Sequence, residues 1–244
     1  MTSGKSVRAF LYLLLLTDAG FIALHVFYTA GFFPDSLFSV SNPGERKALF
    51  SMLAIDRDRS YAELFGYIQM AWTVLLLGWL ALKHSWKLYA GWVLLFAYFL
   101  LDDSMSLHEH LGNTLVQSLA LSETAGLRAQ DLGEILSVLL IAGVIFPLIG
   151  LGYWLEDRSN RGGVHRLMMA VVVLVACGVG VDMLHEALPG DLIWVLLEDG
   201  GELVAMSLAL YVALSLRFAL ERNAAPAAEH IGAAGQMIGQ RVTA

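Results

Sequence analysis

The stretch 167-LMMAVVVLVACGVG-180 contains no charged residue, and it runs straight into 181-VDMLHEALPG-190, where an aspartate, a histidine and a glutamate fall within five positions. On a helix, Asp182, His185 and Glu186 stand at i, i+3 and i+4 and share one face. They also stand at its C-terminal end, where the helix dipole disfavours carboxylates. An apolar run of this kind reads as a membrane span, and its acidic end calls for a nearby cation or proton.

The rest of the chain has the same character. Of 244 residues, 57 % are hydrophobic and 15 % charged, with mean hydropathy +0.65, whereas soluble domains carry roughly a quarter charged residues. The fold expected is all-α: a polytopic membrane protein with six spans at about 9–33, 62–82, 87–111, 132–155, 166–187 and 197–218. Residues 1–222 form the transmembrane domain, and 223–244 an Ala/Gly-rich cytoplasmic tail, flexible or a loosely attached helix. The apolar N-terminal segment continues past Asp18 without a cleavage site, which reads as an uncleaved anchor. In the 34–61 connection, Asn42-Pro43-Gly44 signals a turn before a short interfacial helix.

Charge alternates between the connections. Lys5 and Arg8, Lys83 and Lys87, Arg158, Arg161 and Arg166, and Arg217 and Arg222 fall on one side. The other side has Arg128 alone in 112–131 and no Lys or Arg in 188–197. The positive-inside rule then puts both termini in the cytoplasm of a bacterial inner membrane, with the acidic connections outside. No basic stripe suits nucleic acid. The lone Cys177, inside an apolar run, is read as a small core residue.

The apolar stretches are short at the acidic end. Residues 88–101, 167–181 and 203–216 are the uncharged runs of three spans, against about 20 residues for a crossing. Asp103, Asp182 and Glu202 therefore rise roughly 22–24 Å above the basic anchors, with His25, His185 and Glu198 at roughly 25–28 Å. This predicts one polar layer. Asp18 lies deeper, on the same face as His25, where an ionisable group marks a functional or paired site. Gln69 approaches the level of His25.

A repeat supports the layer. The hairpin 107-LHEHLG-112 to 131-DLGEIL-136 is echoed by 184-LHEALPG-190 to 199-DGGELV-204. A weaker third copy pairs Asp18 and His25 with Glu63. Duplicated helical hairpins that bring carboxylate and imidazole together are how helical bundles build two-metal sites, and Asp182-x-x-His185 echoes their Glu-x-x-His motif. Asp131, Glu134, Glu198, Asp199 and Glu202 fall in the first turns of helices, where acidic caps are common. Asp103, Glu109, Asp182 and Glu186 at C-terminal ends have no such explanation, and Asp102 is a further polar residue within a span. Arg46, Lys47, Arg57 or Arg59 folding over from the long connection would give an ion-pair plug instead.

The expectation is a membrane metalloprotein with a mono- or di-metal site at the extracytoplasmic interface. Its ligands are His108, His110, Glu134, Asp182, His185 and Glu198, with Glu109, Glu186 and Glu202 as catalytic carboxylates. Without thiolate, such ligands suit Zn, Fe, Mn or Cu, for hydrolysis or oxidation of a lipid-like substrate taken from the bilayer. The alternatives are a carrier or channel for protons or divalent cations, and a non-catalytic subunit of an oligomer or larger membrane complex.

Overall fold

The computed structural model describes residues 3–32, 52–124, 127–181, 184–185, 188 and 190–242, with side chains as far as Arg222. The described residues are helical apart from short connections and one isolated bridge, Thr124 to Leu127. Helix α1 spans Ser3–Thr29, α2 Tyr61–Lys83, α3 Trp86–Met105, α4 Leu107–Leu119 and α5 Ala129–Leu155. A 3-10 turn, Arg161–Gly163, leads into α6, Val164–Val175, which continues as a π-helical segment, Ala176–Val181. Helix α7 runs from Asp191 to Val242. Six helical segments are long and apolar enough to cross a membrane: 4–29, 61–83, 86–105, 129–155, 161–181 and 191–222.

Boundaries differ from expectation in several places, among them α7, which continues to Val242 past the expected end of the last span at 218; two of the differences have a local reason. The third span ends at Met105 because Ser106 turns left-handed, at φ 50° and ψ 49°. Residues expected as the end of that span and the start of a loop instead form α4. Its apolar residues alternate with His108, Glu109, His110, Asn113 and Gln117, which lowered its hydropathy below that of a span. The last helix starts at Asp191, two turns before expectation. Glu198, Asp199 and Glu202 therefore stand beyond its first turn, and the acidic-cap explanation does not cover them. The Asn42-Pro43-Gly44 turn and its following helix lie outside the described residues, as do Asp182, Glu186, Arg46 and Lys47.

Helix α7 is the hub. It packs against α1, α2 and α6; α2 packs on α3, α3 on α5, and α5 on α4. Half of its apolar window is buried, more than in any other span. A bilayer gives little hydrophobic drive between helices, so close backbone approach has to hold them. At the α3–α5 crossing a Cβ on Gly152 would lie 2.0 Å from the Lys87 carbonyl oxygen, and one on Gly91 would lie 3.0 Å from the Ile149 nitrogen. The α4–α5 contact is equally tight: a Cβ on Gly133 would meet the Gly112 carbonyl oxygen at 2.4 Å.

The two ends of the bundle differ in kind. Toward the basic connections lies the main apolar core, built on Leu77, Leu80, Trp92, Ile149, Leu167 and Ala213. That end is closed by the Arg217 guanidinium over the Trp79 ring at 5.0 Å and by Ser85 donating to Glu156. Toward the acidic connections the apolar clusters are small, around Ile55, Val195 and Leu203 and around Met70, Leu174 and Met206. Polar groups fill the space between them.

Candidate functional site: an acidic cavity

The segment 52–60 folds back against the acidic end of the bundle. Ile55 donates its amide to His25 Nδ1 at 3.2 Å, and Asp56 lies 3.6 Å from the same nitrogen. His25 is 2 % exposed, so its ring anchors the segment from inside α1. Ser60 then caps α2 by accepting from the Glu63 amide at 3.2 Å, and the Glu63 carboxylate accepts from the Arg59 amide. This geometry carries Asp56, Arg57 and Asp58 over the gap between α2, α3 and α7.

The gap is a cavity of about 120 Å³. Six carboxylates line it: Asp56, Asp58, Glu63, Asp103, Asp199 and Glu202. Arg57 is the basic residue in its wall, and Gly66, Leu203 and Met206 are among its apolar surfaces. A neighbouring cavity of about 420 Å³, lined by Tyr28 and Ala54, shares Asp56, Arg57 and Asp58. One small residue makes room for an acid. A Cβ on Gly178, in the π-helical segment, would sit 1.8 Å from Glu202 Oε1, so that carboxylate rests where a side chain would be. Tyr67 donates to the Asp103 carbonyl at 3.0 Å and ties α2 to the end of α3.

Asp103, Asp199, Glu202 and Glu63, all anticipated from sequence, thus meet at one place. Asp56 and Asp58 were missed. Their signal was their proximity to the start of α2, which hydropathy alone reads as solvated loop. Of the four basic residues expected as an ion-pair plug, Arg57 does enter the cavity wall.

The expected ligands among the described residues do not line this cavity, although His185 and Glu198 stand within electrostatic reach of Asp199, which does. Asp102 accepts the His108 amide at 2.7 Å and contacts His108 Nδ1 at 3.0 Å, which caps α4 across the left-handed turn. The Ser137 hydroxyl donates to the His108 carbonyl at 3.1 Å and fixes this corner on α5. His185 Nδ1 lies 3.2 Å from Glu198 Oε2. The two hairpins use their histidines differently, one with a carboxylate before it and one with a carboxylate after it. Glu134 accepts from Gln130 at 2.9 Å, and Asp131 binds Arg128 at 2.6 Å. His110 Nδ1 contacts the Ser106 carbonyl at 2.8 Å; both His110 and Glu109 are exposed. Among the described residues, no three of His, Cys, Asp and Glu are grouped closely enough to hold a metal ion.

The bond to Asp102 raises the His108 pKa, with burial acting the other way. A raised histidine contributes stability fully below its unfolded value, about 6.5, and loses it as pH climbs through the folded value. Asp102→Asn is therefore expected to lower the His108 midpoint in an NMR titration of isotope-labelled histidine. An unmoved midpoint would remove Asp102 as the cause.

Deeper still, Asp18, Gln69, Thr73 and Ser207 form a buried polar cluster between α1, α2 and α7. Asp18 shares the buried face of α1 with Val7, Leu14 and His25, as the seven-residue spacing to His25 predicts. Gln69 joins Asp18 rather than His25. Ser207 was missed; the signal was that an acid in mid-span requires a donor across the helix interface.

No curated protein and no solved structure matches the chain. A family model described as a domain of unknown function (DUF8692) matches residues 13–218, which include the bundle elements that build the cavity and the buried cluster beneath it. Since that match takes in most of the sequence, the chain belongs to the DUF8692 family.

Proposed function

We propose that the protein is a membrane carrier for a hydrated divalent cation, which enters through the carboxylate cavity. The observation behind this is the convergence of six carboxylates on one cavity with Arg57 in its wall. Carboxylates at such density need counter-charge. All-oxygen surroundings favour hard cations such as Mg²⁺, Ca²⁺ or Mn²⁺, met here through their water shell, since among the described residues no three carboxylates are close enough to ligate one ion directly. A space of about 120 Å³ accommodates the ion with several waters. The packed apolar core at the basic end blocks a continuous pore, so passage requires a second conformation. The distribution of Lys and Arg supports cytoplasmic termini and a cavity that opens outward from an inner membrane.

The alternative is the metalloenzyme. Its support is that His108 and His185 each have Nδ1 against a carboxylate, the arrangement that orients an imidazole ligand through its other nitrogen. The repeated Leu-His-Glu hairpins belong to this alternative. So does a Zn, Fe, Mn or Cu centre completed by Asp182 and Glu186, acting on a lipid-like substrate.

Mn²⁺ titration of the full chain in lipid nanodiscs, read by electron paramagnetic resonance of the free ion, separates them. The carrier should bind one ion per chain saturably, in competition with Ca²⁺, and His185→Ala should leave that binding intact. Loss of binding in His185→Ala shifts the assignment to the enzyme. No saturable binding up to concentrations on the order of millimolar leaves a non-catalytic subunit of a larger complex.

A further inference from the structure

One turn beneath the cavity lies a second polar site. Gly66 and Leu203 line the cavity, and Gln69 and Ser207 follow them at i+3 and i+4 on α2 and α7. There they meet Asp18 of α1, and all three are fully buried. Gln69 Nε2 donates to Ser207 Oγ at 2.7 Å, and Ser207 Oγ donates to Asp18 Oδ2 at 2.6 Å. The Thr73 hydroxyl is committed to the Gln69 carbonyl at 2.8 Å.

Two acceptors have no hydrogen-bond partner of ordinary geometry among the described residues, Asp18 Oδ1 and Gln69 Oε1, although the Gln69 amide also stands within reach of the Asp18 carboxylate. Rotating the Gln69 amide by half a turn does not repair this. Ser207 has one hydroxyl proton; if it goes to Gln69 Oε1, Asp18 Oδ2 loses its donor. Counting both Gln69 N–H groups and the Ser207 hydroxyl, three side-chain donors face four acceptors in either arrangement, so one is missing. Among the described residues no basic side chain acts on Asp18, and Arg57 stands a turn above in the cavity wall. Ser207 and Gln69, which face Asp18 from α7 and α2, are neutral. The next titratable residue on its own face, His25, is occupied by the Ile55 amide. The charged residues lining the cavity above are Asp56, Asp58, Glu63, Asp103, Asp199 and Glu202, with Arg57 the basic residue among them, and the π-helical segment after α6 places Cys177 against Gly201 of α7. A bare carboxylate in mid-span among such neighbours is costly.

We infer that Asp18, Ser207 and Gln69 form a proton-binding site. Its proton resides on Asp18 Oδ1, supplying the missing donor to the cluster while Oδ2 continues to accept from Ser207. A proton fits better than a metal ion, because the cluster offers a single anionic group. The site stands whether or not the cavity above binds a cation, and its failure would leave that binding untouched.

Infrared spectra of the full chain in lipid, made with isotope-labelled aspartate, read the proton directly. At neutral pH a protonated-carboxyl stretch should be present, disappear in Asp18→Asn, and move to higher frequency in Ser207→Ala, where Oδ2 loses its donor. A protonated-carboxyl spectrum unchanged by either substitution overturns the site. Stability supplies a second readout. The Asn amide can donate where the acid does, so Asp18→Asn should melt within about 2 °C of the wild type. A larger fall would mean that a charge was being stabilised, which also overturns it.

Discussion

Replacing Asp103 and Glu202 together by Asn and Gln is expected to weaken Mn²⁺ binding at least a hundredfold, and Arg57→Gln to strengthen it about tenfold. Both side chains line the same cavity wall as Arg57, so the three changes act on one electrostatic field. In a water-like medium a unit charge at about 4 Å contributes about 1 kcal/mol, doubled for a dication. Two carboxylates then amount to about 4 kcal/mol, and 1.4 kcal/mol is tenfold in affinity. Arg57 opposes the ion, and its exposed position weakens that opposition through screening. The amides preserve shape, so folding should be unaffected. Opposite signs from neighbouring residues are the signature of a cation in this cavity. If Arg57→Gln also weakened binding, Arg57 would be a strut holding segment 52–60, and the cavity would not be the binding place.

The six membrane spans were legible in the sequence because hydropathy is a sum over many residues, and small errors at the ends do not matter to it; α4, too polar for that sum, was not. The shared face of Asp18 and His25 was legible too, since seven residues return a helix to nearly the same side. The depth of Asp103 and Glu202 followed from counting residues up from the basic anchors, and the structure brings them to one cavity. Three things were not legible. The left-handed turn at Ser106 depends on a single residue's backbone, and Ser gives no glycine-like signal for it. Segment 52–60 closes the cavity through contacts between residues far apart in the chain, Ile55 to His25 above all. Ser207 passed as one uncharged residue in an apolar run, and only its position opposite Asp18 gives it a role.

Gly152→Val is expected to cost about 3 kcal/mol or more and to leave little folded protein after extraction, whereas Gly178→Ala should fold normally and change only the cavity. Both glycines sit where an added Cβ would collide, at 2.0 Å and 1.8 Å, far inside the roughly 3.5 Å of ordinary contact. What they would collide with differs. At Gly152 the neighbour is the Lys87 carbonyl, backbone at the start of α3, with Ile149 one turn away already pressed against Gly91. Relief there requires α3 and α5 to separate along their length, and a bilayer offers no hydrophobic gain to hold them together once close contact is lost. Overpacking of this kind exceeds the usual 1–3 kcal/mol because the backbone cannot change rotamer. At Gly178 the neighbour is Glu202 Oε1, the tip of a flexible side chain that can swing aside at small cost. The carboxylate then leaves its place in the cavity wall, so Mn²⁺ affinity should fall several-fold while the melting temperature holds. Equal melting losses in the two variants would mean that the π-helical segment of α6 is fixed by backbone packing against α7, and that its glycine does not serve to seat the Glu202 carboxylate.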